Sequence, residues 1–128
     1  MAFLCAAVLS SAWGRAIPIL SEKAFQLKNL GAAFIPINFF IPVPGHYIKH
    51  YEPLTAERCL RILSLFRMIH PRTEIRIAAG REYYLKDRQA EGLRIANSLF
   101  VFGYLNEKGD DDFETIRMIK NAGYEIDT

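Results

Sequence analysis

The chain has 128 residues, enough for one compact domain. Hydrophobic residues make up 51% and charged residues 23%, which excludes disorder driven by low hydrophobicity. The net charge of +2 is too small to indicate nucleic acid or an anionic membrane as a partner. The two cysteines, Cys5 and Cys59, form neither a CxxC motif nor a disulfide framework.

The first twelve residues are apolar and small, but two features argue against a targeting role. No Lys or Arg precedes Arg15, so the charged region of a signal peptide is missing. The stretch is also too short to cross a bilayer. We therefore expect neither secretion nor a membrane partner.

The first two predicted elements are a helix and a strand. Residues 19–30 have helical spacing and end at Gly31, a typical helix C-cap. Residues 34–43 form an apolar, β-branched run that predicts a strand. A turn-rich segment, 44–53, follows it.

A second helix follows, and Thr55 can cap it. Pro71 ends it. Apolar residues recur in it at spacings of three and four: Cys59, Ile62, Leu63, Phe66 and Ile69. This pattern predicts one buried helix face.

The remaining segments continue the alternation. Residues 73–78 predict a short strand closed by Gly80, and residues 82–95 a helix weakened by Gly92. Residues 97–102 predict a third strand. The last helix follows three aspartates, 110–112, which suit a helix N-terminus, and it ends at Gly123.

Helices that alternate with strands predict right-handed βαβ units and a parallel sheet. Three strands leave two open sheet edges. A closed (β/α)8 barrel needs about 250 residues, so this length fits roughly half of one. We predict an α/β fold of about three βα units, which is either a fragment of a TIM-type barrel or a half barrel that needs a partner.

One polar residue interrupts each predicted strand: Asn38, Arg76 and Ser98. Strands of parallel sheets are normally near-continuous in apolar residues. Arg76 must meet an anion, a set of acceptors or solvent, because a buried unpaired guanidinium is costly. Taken alone, Arg76 is compatible with a salt bridge or an exposed edge strand. Asn38 is compatible with a satisfied buried amide, and Ser98 with a small core hydroxyl. Together they could converge on one lumen as a site.

Four other residues could carry chemistry. His46 and His50 are four apart, as metal ligands can be, but Pro44 and Gly45 favour a loop there. His70 ends a helix, where a cation is favourable. Cys59 lies on an apolar helix face, which predicts an inert core thiol.

Three segments resemble biotin synthases, which are radical S-adenosylmethionine enzymes. They are IPINFFIPVPG (35–45), EIRIAAGRE (74–82) and ANSLFVFGYLNEKG (96–109). The helix between the first two, 54–71, fits the family's spacing, and so does the tail MIKNAGYEI. The resemblance runs in order from about residue 19 to the C-terminus, in the half that includes the biotin and thiamin synthesis-associated region.

The resemblance implies a TIM barrel that inserts sulfur into dethiobiotin. A [4Fe-4S] cluster would cleave S-adenosylmethionine to a radical, and a [2Fe-2S] cluster would supply the sulfur. It implies that Arg76 is a [2Fe-2S] ligand, that Asn38 lies at the dethiobiotin and cofactor pocket, and that Ser98 supports the arginine. It also implies a cytoplasmic protein, or a mitochondrial one in a eukaryote.

The departures from the family concern cysteine. The CxxxCxxC motif is absent, so the [4Fe-4S] site is not in this chain. Cys5 lies near the position of a family cysteine, but in the context LCAAVL instead of CSGG. We interpret residues 1–18 as a divergent start and 19–128 as a biotin synthase-like half barrel.

These observations predict a biotin synthase-like fragment that is inactive alone. Two alternatives stay open. The chain could be a non-catalytic partner that assembles with a separate barrel half, or a decayed gene product.

Overall fold

The computed structural model describes residues 17–39, 55–78, 80–99 and 112–127. Its helices and strands follow one another as α1 (Ile17–Asn29), β1 (Phe34–Ile37), α2 (Ala56–Ile69), β2 (Glu74–Ile77), α3 (Arg81–Leu85), α4 (Gln89–Leu93), β3 (Ser98–Leu99) and α5 (Asp112–Asn121). A 3-10 turn, Lys86–Arg88, separates α3 from α4. The predicted α/β class is confirmed. Within the described ranges, no helix has the length and apolar character needed to cross a membrane.

The three strands form one small parallel sheet in the order β1-β2-β3. Pro36 lies opposite Arg76, and Arg76 lies opposite Ser98. The parallel pairing predicted from the alternation is therefore correct. Among the described strands the sheet is open at both edges.

Strand β1 tolerates Pro36 because of where the missing N–H would point. The Ile37 carbonyl accepts from the Ala78 N–H at 2.9 Å, so Ile37 faces β2. Backbone groups alternate along a strand, and Pro36 therefore faces the outer edge of the sheet. Proline is confined to such edge positions, since it cannot donate to a ladder.

The helices cover one face of the sheet and form the core with it. The fully buried side chains of this core come from every layer: Leu20 and Ala24 of α1, Ile35 and Ile37 of β1, Cys59, Ile62, Leu63 and Phe66 of α2, and Ile75 and Ile77 of β2. The predicted apolar face of α2 is buried as a whole. A continuous apolar layer between α1, α2 and the sheet is what stabilises this arrangement.

The predicted helix ends are present. Thr55 has extended backbone angles, and its hydroxyl accepts from the Arg58 N–H at 3.1 Å. Gly31 and Gly123 both take positive φ angles, of 72° and 89°. After α5, the N–H groups of Gly123 and Tyr124 donate to Lys120 and Ile119, the two bonds of a Schellman motif.

The single helix predicted over 82–95 is wrong in two respects. The chain forms two short helices, and the break falls at Lys86, whose φ is +48°. Gly92, expected to weaken the helix, lies inside α4. A Cβ there would lie 3.0 Å from Ile77 Cδ1 and 3.3 Å from Leu85 Cδ1. Gly92 therefore permits close packing of α4 on the sheet.

Candidate functional site

The face of the sheet away from the helices carries the polar strand residues. In β2, Ile75 and Ile77 are fully buried in the core, while Glu74 and Arg76 are partly exposed. Side chains alternate between faces along a strand, so Arg76 points away from the helices. We call this side of the sheet the open face. It carries Phe34, Pro36, Glu74, Arg76 and Ser98.

Neighbours on each of the three strands hold Arg76 on the open face. Its Nε donates to Ser98 Oγ at 2.7 Å, across the pair β2–β3. Its Nη2 lies 3.2 Å from Glu74 Oε1, with the two side chains 30% and 43% exposed. Its guanidinium carbon lies 4.5 Å from the centre of the Phe34 ring, a cation–π contact across β1–β2. The guanidinium is thus oriented from all three strands.

The structure brings two of the predicted site residues together. Arg76 and Ser98 are register partners and share a hydrogen bond. Asn38 directly follows β1, and alternation from Ile37 puts it on the open face. Pro36 is the register partner of Arg76, and Asn38 lies two residues beyond Pro36. Asn38 is therefore displaced from Arg76 by about 7 Å along the strand direction. Cys5 lies outside the described residues.

The histidines and the second cysteine do not join this group. His46 and His50 lie outside the described residues. Cys59 is fully buried in the helix layer, on the opposite side of the sheet from Arg76. Burial raises the pKa of the Cys59 thiol to about 12, so it stays protonated and inert, as expected.

The described residues can supply only part of an iron–sulfur site. Iron–sulfur clusters are held chiefly by thiolates. Within the described ranges, no three His, Cys, Asp or Glu side chains are grouped closely enough to hold a metal ion. Arg76 is oriented on the open face, but Cys59 is not a neighbouring thiolate. These residues therefore do not form a cluster site by themselves.

Sequence reasoning missed Arg67, whose guanidinium donates to four acceptors. Its Nε donates to the Ile95 carbonyl at 2.8 Å. Its Nη1 donates to the carbonyls of His70 and Thr73 at 3.1 and 2.7 Å. Its Nη2 donates to Asn97 Oδ1 at 3.0 Å. Since three of the four acceptors are backbone carbonyls, no side-chain pattern in the sequence marks this residue.

His70 differs from the expectation of a cationic helix end. Its ring is 3% exposed, and Nε2 lies 2.8 Å from the Ala24 carbonyl of α1. That contact requires Nε2 to carry a proton and to donate. Burial lowers the pKa of His70, and Lys28 and Arg67 lower it further, while the bond to Ala24 acts in the opposite direction. The neutral ring is therefore favoured at this position.

The arrangement defines what Arg76 can do. A guanidinium stays protonated in proteins, so Arg76 cannot act as a general acid or base. It can hold an anion or an electron-rich group at the open face. Ser98 adds a hydroxyl beside it.

Comparison with known proteins identifies the domain. The family model for the Biotin and Thiamin Synthesis associated domain matches residues 36–125. A biotin synthase from Leptospira interrogans (serovar copenhageni) is 50% identical over 121 residues, which is 94% of this chain and 34% of that protein. Biotin synthases from Leptospira biflexa and Acaryochloris marina are 44% and 42% identical, over 93% and 96% of this chain and 33% and 35% of theirs.

The chain belongs to the Biotin and Thiamin Synthesis associated domain family. It matches the C-terminal part of biotin synthase, as the resemblance of its strand segments predicts. The chain spans about a third of the length of the curated relatives it matches.

Proposed function

We propose that this chain forms the C-terminal βα units of a biotin synthase-type TIM barrel. In that role it contributes to sulfur insertion into dethiobiotin. The open face would line the lumen, with Arg76 beside the [2Fe-2S] cluster and Asn38 at the pocket for dethiobiotin and S-adenosylmethionine. Alone, the chain is expected to be inactive.

One observation carries this proposal: Arg76 points away from the helix layer and is oriented by Ser98 and Phe34. In a (β/α)8 barrel the helices lie outside and the opposite face of the sheet lines the lumen. The relatives that share this segment at 42–50% identity are named biotin synthases. A fixed cation on the lumen face suits a negatively charged group there.

The clusters and S-adenosylmethionine would supply the radical and the sulfur. The described residues have a narrower part in the proposal. Arg76 would contact the [2Fe-2S] cluster, Ser98 would keep the Arg76 side chain in place, and Asn38 would bind substrate. The thiolates must come from outside the described residues, because Cys59 is buried on the other side of the sheet.

The proposal is tested by supplying the missing part. The 128-residue chain is co-produced with the N-terminal part of the Leptospira interrogans biotin synthase, the part that this chain does not match. Biotin formed from dethiobiotin is measured anaerobically with S-adenosylmethionine and a reductant. We expect biotin only when both parts are present.

Two variants locate the effect at the open face. Arg76→Ala is expected to lower biotin formation several-fold, because a charged hydrogen-bonding group is lost. Arg61→Ala, on the exposed side of α2, should leave it unchanged, since the Arg61 guanidinium pairs with the exposed Glu57 carboxylate at 2.7 Å. No biotin from a pair that co-purifies would overturn the catalytic proposal.

That outcome would favour the second candidate, a non-catalytic assembly partner of a separate barrel half. Among the described strands, β1 has no neighbour on its outer side, and this supports the candidate because an unpaired edge is a template for another strand. The two functions separate cleanly in the experiment. If the chain is a non-catalytic assembly partner, Arg76→Ala should leave co-purification with the other barrel half intact and should not change the amount of biotin formed.

A further inference from the structure

Arg67, at the end of α2, joins the segments that lead into two neighbouring strands. Its bonds to His70 and Thr73 reach the turn before β2. Its bonds to Ile95 and Asn97 reach the turn before β3. One rigid, planar guanidinium therefore ties both strand entrances to the helix.

Asn97 connects Arg67 to the backbone of β2 and so fixes the register between β2 and β3. Its Oδ1 accepts from the Ile75 N–H at 3.0 Å, in addition to Arg67. Its own N–H donates to the Ile75 carbonyl at 3.2 Å. Both backbone groups of Ile75 are thus held by one residue of the neighbouring segment.

The next residue along each strand belongs to the open face. Arg76 follows Ile75, and Ser98 follows Asn97. These two are register partners with an Nε–Oγ distance of 2.7 Å. A shift of β3 by a fraction of a residue would break this bond, because hydrogen bonds weaken steeply with distance and angle.

We propose that Arg67 and Asn97 are positioning residues for the Arg76 guanidinium. They act at the N-terminal ends of β2 and β3 and determine where Ser98 Oγ meets Arg76 Nε. The inference rests on the proposed function in one respect, namely that Arg76 is the functional cation of the open face. The geometry itself does not depend on what Arg76 binds.

A purely structural tie would give different behaviour from a positioning tie. The side chains of Ile75 and Ile77 are fully buried in the apolar core on the other face, so the sheet can persist when Arg67 is replaced. A lysine keeps the charge but lacks the fork that reaches several carbonyls at once. Arg67→Lys should therefore leave the fold in place but loosen the alignment of β2 with β3.

The experiment follows the Arg76 Nε–Hε group by NMR in the 128-residue chain with 15N-labelled arginine. Arg76→Lys assigns the signal by removing it. Ser98→Ala defines the released state, with Nε–Hε hydrogen exchange expected to be about tenfold faster. Arg67→Lys and Asn97→Ala should each shift the signal towards the released state and speed exchange several-fold.

Three controls separate positioning from stability. Asn97→Asp keeps an oxygen for both donors and should retain the original signal. Arg61→Lys changes an exposed arginine on the same helix and should have no effect. Ile69→Val removes a core methyl from α2, lowering stability without touching these hydrogen bonds, and should also leave the signal in place.

The inference is overturned if neither Arg67→Lys nor Asn97→Ala moves the Arg76 signal. It is equally overturned if Ile69→Val moves the signal as far as they do. The measurement involves no biotin and no cluster. Failure of the biotin assay alone would therefore count against the proposed function and not against the positioning role.

Discussion

Gly80 lies against the backbone of Phe39, just beyond the end of β1. Its φ is +90°, a conformation that L side chains rarely adopt. A Cβ at this position would collide with the Phe39 carbonyl oxygen and lie 2.8 Å from Phe39 Cβ. Phe39 follows Asn38, so Gly80 also fixes the backbone beside the proposed substrate position.

Gly80→Ala should therefore destabilise the chain by about 3 kcal/mol, since it adds backbone strain and a clash with backbone atoms. Gly123→Ala is the matched control, because its φ is +89° but nothing lies within 4 Å of the added Cβ. It should cost about 1 kcal/mol, the backbone term alone. Urea unfolding followed by circular dichroism measures both. Equal losses would show that the contact with Phe39 is unimportant.

The buried His70 ring makes stability depend on pH. Its folded pKa is lowered, so the unfolded chain binds a proton more readily than the folded chain. The free energy of unfolding should fall as pH drops below about 6.5, the unfolded value, and should stop falling below the folded pKa.

His70→Gln tests this, because glutamine can donate to the Ala24 carbonyl but does not titrate. Its unfolding free energy should be less sensitive to pH between about 7 and 5 than that of the parent. His46 and His50 are present in both proteins, so their contribution is common to the two profiles. Parallel profiles would exclude His70 as the source of the pH dependence.

At the scale of helices, the side chain of Arg81 in α3 contacts residues of α4 and α5. Its side chain is 1% exposed. One guanidinium nitrogen pairs with Glu82 at 2.7 Å and lies 3.5 Å from Thr115 Oγ1 of α5, while the other bonds to Gln89 of α4. A buried arginine thus links α3, α4 and α5.

Arg81→Met removes this link while keeping a similar shape. We expect a loss of about 3 kcal/mol, because Glu82 loses its counter-charge and Gln89 and Thr115 lose a hydrogen-bond donor. Arg88→Ala removes an exposed pair with Glu91 from the same region and should leave stability nearly unchanged. Thermal and urea midpoints compare the two. A small effect of Arg81→Met would mean that α5 is held by other contacts.

The elements that could be predicted are those marked by local chemistry. The Thr55 hydroxyl and the apolar spacing of α2 define that helix without reference to the rest of the chain. The alternation of Ile75, Arg76 and Ile77 defines the face on which Arg76 lies. Lys86 shows the limit, because its φ is positive although no glycine or proline marks the break. Arg67 shows it for the site, because its partners are carbonyls brought together only by folding.

At the scale of the whole molecule, the three strands that the structure describes form a sheet with two unpaired edges among themselves. Several large apolar side chains of the described residues are at least half exposed: Phe25, Leu30, Met68, Tyr83 and Phe113. Exposed edges and apolar patches favour association.

We therefore expect the chain alone to self-associate. Light scattering at rising concentration should give an apparent mass above that of one chain, and mixing with the N-terminal part of a biotin synthase should replace this by a one-to-one complex. Met68→Lys removes an 80% exposed apolar side chain from the helix layer. Unchanged association would place the interface at the sheet, and weaker association would place it at the helices. A clean monomer at high concentration would count against the half-barrel interpretation.

The three contacts of Arg76 have a thermodynamic consequence. A free arginine side chain loses up to about 2 kcal/mol of rotamer entropy when it is immobilised. Here Ser98, Glu74 and Phe34 already restrict the guanidinium before any ligand is present. Folding has met that entropic cost in advance, so a group that binds Arg76 encounters a preorganised cation and retains more of its interaction energy as affinity.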